Sequence, residues 1–368
     1  MSRLAKLCRS GARLAVCGLL LGWIFHAIFV YEGRLAWQRQ GLDWQSLSRF
    51  EQWRAAWTHG PAGLWHTLVM VSPGALFISF VLMGLTIVLG IFRWQMVLRA
   101  QGLALTTGRA MEISLVAHFF NSFLLGSTGG DLMKAYYAAR ETHHQKAEAV
   151  TTVFVDRLIG LFAMLLFAGL MMLPNWPLVL ADKSFLAVAS VVLAMLCGCT
   201  VVGGLAFWGG VSRSFPQARA WLRKLPKAQS LESSLAACRH FGRQPGLLAR
   251  ALGISMLLNI VCVGQFIVLA GGLQMRVPGK VLFLVVPSII SISALPITPS
   301  GLGVRESLFV QLLAGQGIQV EATQALSLSL LAYAGSLAWS IIGGLVYATL
   351  RERHHLQEIA QEQPGTNG

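Results

Sequence analysis

Apolar residues in this chain come in long blocks rather than in the short alternations of a soluble core. Uncharged runs cover Thr67–Phe92, Phe185–Trp208, Ala251–Met275 and Thr323–Leu350, and Val150–Leu173 is equally apolar apart from Asp156 and Arg157. Each is long enough to cross a hydrocarbon core of about 30 Å as a helix. The pattern predicts six spans: Leu14–Val30, Thr67–Phe92, Val150–Leu173, Phe185–Trp208, Leu248–Gly272 and Thr323–Leu350. The first follows a basic start (Arg3, Lys6, Arg9, Arg13) like that of a signal peptide. It lacks a small-residue cleavage site and reads as an uncleaved span.

Two apolar stretches do not fit the six. Met111–Gly126 carries Glu112, His118 and Asn121, and Val281–Pro299 is broken by Pro287, Pro296 and Pro299. Each ends in a small-residue break followed by a helical stretch, Asp131–Arg140 in one case and Val304–Gly315 in the other. Each therefore reads as a re-entrant helical hairpin that enters and leaves on one side. The order span, hairpin, span occurs twice, which predicts an inverted repeat, an architecture of transporters that alternate access. The chain divides into a first span and Trp-rich outer loop (1–66), half one (67–173), a linking span and basic loop (174–247), half two (248–350) and a cytoplasmic tail (351–368), polar and disordered after Glu358. Five tryptophans, Trp37, Trp44, Trp53, Trp57 and Trp65, suit an amphipathic helix on the outer interface. The fold class is thus all-α, integral to a membrane.

Composition agrees: 55% hydrophobic and 12% charged residues, with a mean hydropathy of +0.62. A net charge of +14 would suit nucleic acid. Its distribution points elsewhere, because with both termini inside, 19 Lys and Arg fall in cytoplasmic segments and seven outside. That is the positive-inside bias of a bacterial inner-membrane protein, and no nucleic-acid partner is implied. The six cysteines suggest neither a disulfide framework nor a metal site, and no cofactor is implied.

The chemistry lies in the two breaks and in one span. Gly129, Gly130, Asp131 and Lys134 open the first returning helix, with Thr128 or a glycine as its cap. A helix N-terminus beside an ammonium is a phosphate site, and the glycines permit close approach of a ligand. Asp156 and Arg157 point about 100° apart on their helix and need other partners, Lys134 and Asp131 being nearest in sequence. At the second break, Ser300, Gly301 and Gly303 lead into Arg305, which can hold a phosphate, and Glu306, which can pair with it or carry a proton. Charges at membrane depth mark function by default. Local capping and snorkelling are the bland alternatives. His118 and Asn121 share a face and can line a cavity, while Asn259 and Gln265 read as interhelical hydrogen-bonding groups. Nucleophile elbow, zinc and P-loop signatures are missing, so the chain does not read as an enzyme.

The ordered set Gly129-Gly130-Asp131 with Lys134, Asp156-Arg157, and Gly301-Leu302-Gly303-Val304-Arg305-Glu306 resembles the membrane region of lysylphosphatidylglycerol synthase/flippase proteins over roughly residues 67–350. That resemblance implies translocation of an anionic lipid or lipid-linked headgroup (phosphatidylglycerol-like, polyprenyl-phosphate-linked or hopanoid-type) across the cytoplasmic membrane. Two departures stand out. The position of Lys134 is commonly Arg in the family pattern, and the 368 residues leave no room for the soluble aminoacyl-transferase domain, so lysine transfer is not implied. Transport of a soluble anion, or a non-transporting role beside a lipid-modifying enzyme, remain alternatives, and an oligomer is compatible with either.

Overall fold

The computed structural model describes residues 43–123, 128–141, 146–208, 241–295, 303–315 and 320–362, with residues 26, 29, 30, 33, 34, 37, 239, 301 and 318 beside them. Among these residues there are helices and turns and no strand. The predicted first span lies almost wholly outside them, as do most of the basic loop 209–247 and the tips of both hairpins, including Ser300.

Helix α1 (Arg49–Val69) opens with a capping box in which the Ser48 side chain accepts from Glu51 and Glu51 reaches back to the Ser48 N–H. The Ser48 hydroxyl and backbone N–H together hold the Glu51 carboxyl below its ordinary pKa. Phe50, Trp53, Trp57 and Trp65 are exposed on α1, the pattern of a helix resting at an apolar interface. Only Met70 to Ser72 separate it from α2 (Pro73–Ala100), whose start is fixed by proline in its first turn and the Ser72 cap. The span expected at Thr67–Phe92 thus begins six residues later, because Thr67–Val69 belong to α1. It also runs eight residues further, taking Arg93 and Arg99 out of the predicted cytoplasmic loop and into the helix.

Next come α3 (Thr107–Phe123) and α4 (Thr128–Glu141), then α5 (Lys146–Met172), the short α6 (Trp176–Ala181) and α7 (Lys183–Trp208). The second half holds α8 (Pro245–Gly272), α9 (Gly279–Ser293), α10 (Val304–Leu313) and α11 (Ala322–Glu362). Five helices, α2, α5, α7, α8 and α11, are long and apolar enough to cross a membrane. At about 1.5 Å per residue, none of α3, α4, α9 and α10 spans about 30 Å. Helix α11 continues past the predicted boundary at Leu350 to Glu362, so the tail expected to be disordered after Glu358 is helical for four more residues.

Packing between the halves is reciprocal. Helices α2 and α8, the first span of each half, form the most extensive pair. Helix α3 lies on α11 of the other half, and α9 lies on α5. Within each half the short helices pair with one another, and the returning helix packs on the span that follows it. One large apolar core joins α5, α7, α8, α9, α10 and α11 through Leu165, Phe185, Leu269, Val285, Phe309 and Leu328. A second joins α2 to α5 around Trp94, Leu98, Ile113, Tyr137 and Val153. Close approach needs small residues: a Cβ on Gly343 of α11 would sit 2.1 Å from the Leu115 carbonyl oxygen of α3.

Candidate functional site

Both hairpins and the charged span face one cavity of about 600 Å³ between the halves, within the about 300–1,000 Å³ usual for ligand sites. From the first half it is lined by Arg93, His118, Asn121, Asp131, Lys134 and Asp156-Arg157. From the second it is lined by Ser255, Asn259, Gln265, Ser293, Arg305 and Tyr333.

Asp156 is its electrostatic centre. It stands ten residues into α5, is 6% exposed, and would be costly there as an isolated charge. Arg93 Nε donates to Oδ1 at 2.8 Å and Lys134 Nζ to Oδ2 at 3.4 Å. Arg93 also donates to Ser255 Oγ at 3.0 Å, so its guanidinium ties α2, α5 and α8 together. Space for it is left by Gly160, one turn on from Asp156, where a Cβ would lie 2.9 Å from the guanidinium. Lys134 sits 4.2 Å from the centre of the Trp94 ring, a cation–π contact that helps to offset its desolvation. Arg157 turns to Asp131 at 3.5 Å in a looser and more exposed pair. Two neighbours on α5 thus find their partners on α4, since a helix sends adjacent side chains to different faces.

The glycines of the first break do different work from that expected. Helix α4 starts at Thr128, and the Gly130 N–H is taken by Asn121 Oδ1 of α3 at 2.9 Å rather than by a local cap. A Cβ on Gly130 would lie 2.0 Å from the Ala117 carbonyl oxygen. That bare face is filled by α3, not left for a ligand. Gly129 is buried beside it. His118 Nε2 contacts the Ser336 carbonyl at 3.2 Å, and the Ser122 and Ser340 hydroxyls share a hydrogen bond, which stitches α3 to α11.

At the second break Gly301 and Gly303 have φ of +69° and +85°, a region in which a side chain is strained. The turn they make starts α10. Glu306, fully buried in its first turn, accepts from the Gly303 N–H at 2.7 Å, from Ser329 Oγ at 3.1 Å and from Arg305. Arg305 also donates to Ser329 Oγ and lies 4.6 Å over the Tyr333 ring. Although adjacent on the helix, the two pair because the long guanidinium folds back onto a carboxylate fixed by the cap. Glu306 is absent from the cavity wall and acts as the anchor of Arg305.

Sequence reasoning missed Arg93. It follows the uncharged run Thr67–Phe92 by one residue and reads as the first loop charge. The signal in the sequence was Asp156 itself, a charge inside an apolar run that needs a cation from another helix. Asn259 and Gln265, read as interhelical groups, line the cavity, and Asn259 also donates to the Ser255 carbonyl at 2.8 Å.

Spans, short paired helices and charges turned inward define an all-α, multi-pass membrane protein with a polar interior site. Within that class, the family model of the lysylphosphatidylglycerol synthase TM region matches residues 51–344, and the chain belongs to that family. The family sets it in a membrane-lipid context. No curated protein matches the chain.

Proposed function

We propose that this protein moves an anionic lipid or lipid-linked headgroup across the cytoplasmic membrane, as a flippase-like transporter. One observation carries the reading. Cations of both returning helices, Lys134 and Arg305, meet those of two spans, Arg93 and Arg157, in a single cavity between reciprocally packed halves. Cations held at membrane depth are expensive, and a site that receives an anion gives them a use. In this reading the headgroup enters the cavity while its acyl chains stay in the bilayer. The two halves rock about the α2–α8 contact, both termini face the cytoplasm, and no bond is made or broken.

The test is movement of fluorescent phosphatidylglycerol and of a polyprenyl-phosphate probe in proteoliposomes, wild type beside Arg157→Ala. Arg157 is half-exposed, so its loss is tolerated by the fold. Translocation that falls by at least about tenfold in the variant is expected, as removal of a charge-assisted contact predicts. No movement of either probe by folded protein would sink the reading in favour of a partner for a lipid-modifying enzyme.

A further inference from the structure

On the three helices that meet at Arg93, the cavity stops at one level. Its last lining residue is Arg93 toward the end of α2, Asp156 toward the start of α5 and Ser255 toward the start of α8. Against that level lies a buried apolar cluster: Val97 of α2, Val155 and Ile159 of α5, and Ala251 of α8. Val97 is one turn beyond Arg93 and Ala251 one turn before Ser255, about 6 Å along each helix. Ser255 ties site and cluster together, since its hydroxyl receives Arg93 and donates to the Ala251 carbonyl at 2.8 Å. The largest side chain of the cluster belongs to none of the three helices. It is Phe241, from the segment that precedes α8, and it is fully buried.

Phe241 is held differently from its neighbours in the cluster. Arg239 and Arg243, on either side of it, are exposed, so the segment sends one aromatic ring inward and keeps its charges outside. The Gln244 N–H donates to the Phe241 carbonyl at 2.9 Å, which closes a turn, and α8 begins at Pro245. A seal made by a residue of α2, α5 or α8 moves only with its helix. A ring on a tether can withdraw while Arg93 keeps Asp156 and Ser255. Its place in the fold is also distinct. The apolar cluster around Trp94, Leu98, Ile113, Tyr137 and Val153 draws its buried residues from helices of the first half. Phe241 sits where that half meets α8 of the second, at the contact about which the halves rock.

Resting on the transport reading above and on the orientation given with it, we infer that Phe241 is a cytoplasmic gate of the site. Seated, its ring fills the wedge between α2, α5 and α8 and parts the Arg93–Asp156–Ser255 contact from the cytoplasm. Withdrawn, it opens the cavity on that side. The seated ring also keeps water from Asp156, whose pairs with Arg93 and Lys134 are stronger in a poorly solvated setting. The role asks for bulk and apolarity rather than for aromatic chemistry, so leucine serves where alanine fails.

The experiment reads access to the cavity from each side. Cys262 lines the cavity, and the other five cysteines, Cys8, Cys17, Cys197, Cys199 and Cys238, are replaced by serine. Labelling of Cys262 by a membrane-impermeant methanethiosulfonate is timed in inside-out and right-side-out vesicles, for this parent protein and for Phe241→Ala and Phe241→Leu made in it. Phe241→Ala is expected to raise labelling from the cytoplasmic side by at least about tenfold, the change in open population that loss of one buried aromatic side chain brings. The rate from the outer side should not change, and Phe241→Leu should restore most of the protection. Equal cytoplasmic labelling of parent and Phe241→Ala, absence of labelling included, overturns the gate. So does a rise of the same size from both sides, which is general loosening of the fold. A rise confined to the outer side overturns the orientation and with it the cytoplasmic role. Translocation of fluorescent phosphatidylglycerol by the parent protein in proteoliposomes separates this inference from the reading it rests on. Lipid movement with unchanged labelling overturns the gate and leaves transport standing. Sided labelling without lipid movement supports Phe241 as the seal and overturns transport.

Discussion

Gly160→Ala isolates the contact at the centre of the site. The added Cβ would lie 2.9 Å from one terminal guanidinium nitrogen of Arg93 and 3.0 Å from the other, where ordinary contact begins at 3.4 Å. Arg93 must retreat by about 0.5 Å, which a long side chain can do. Its bonds to Asp156, at 2.8 Å, and to Ser255, at 3.0 Å, are then stretched toward or beyond the limit of a good hydrogen bond. A hydrogen bond between charged groups is worth about 1.5–3 kcal/mol, so losing part of it costs about 1–2 kcal/mol. If the geometry of Asp156 and Lys134 governs transport, the rate falls by about 5- to 30-fold. Alanine in a helix returns up to about 1 kcal/mol of stability relative to glycine. Thermal stability should therefore change little while transport drops. Gly169→Ala, on the same span, is the control: its Cβ would meet the Leu196 side chain at 3.4 Å, an ordinary contact. It should melt slightly higher and transport as wild type. Lipid translocation in proteoliposomes, read beside a melting curve in detergent, separates the two. A Gly160→Ala protein with wild-type transport would refute the argument that the Arg93–Asp156 contact sets the site.

The remaining predictions concern packing and charge. Gly130→Ala drives a Cβ into the Ala117 carbonyl oxygen, a backbone atom that cannot swing aside. It should cost about 3 kcal/mol, the upper end for overpacking, seen as a lowered melting temperature with reduced expression. Asp156→Asn leaves Arg93 and Lys134 without their shared counter-ion and should destabilise by about 3–5 kcal/mol. Arg93→Met added to it should recover part of that loss, and additive melting shifts in the double variant would show that the two are not coupled.

Much of the architecture was legible because the hydropathy of a membrane helix is a local property. The blocks at Phe185–Trp208 and Leu248–Gly272 mark α7 and α8 almost residue for residue. The short Pro- and Gly-broken stretches mark α3–α4 and α9–α10. Boundaries failed where the deciding contact is not apolar. Arg93 stays in α2 because Asp156 and Ser255 receive it, and no window of sequence around Arg93 contains either. Gly130 looked free for a ligand, since only the path of α3 shows that Ala117 occupies the space.

The sequence by itself determined the class of protein, the set of apolar helices, and which charged residues would need partners, since a carboxylate or guanidinium inside an apolar run is unstable alone. It also named Lys134 and Asp131 as the nearest partners for Asp156 and Arg157, because adjacent residues of a helix point about 100° apart, a separation that the long Arg305 side chain bridges to reach Glu306. The tertiary structure decided what lies between distant segments. It added Arg93 to Asp156, made Glu306 the buried anchor of Arg305, and brought charges from both halves to one cavity. Those outcomes depend on which helices touch, and that is fixed by the fit of small residues such as Gly130, Gly160 and Gly343 against opposing helices, a matter of shape across the fold.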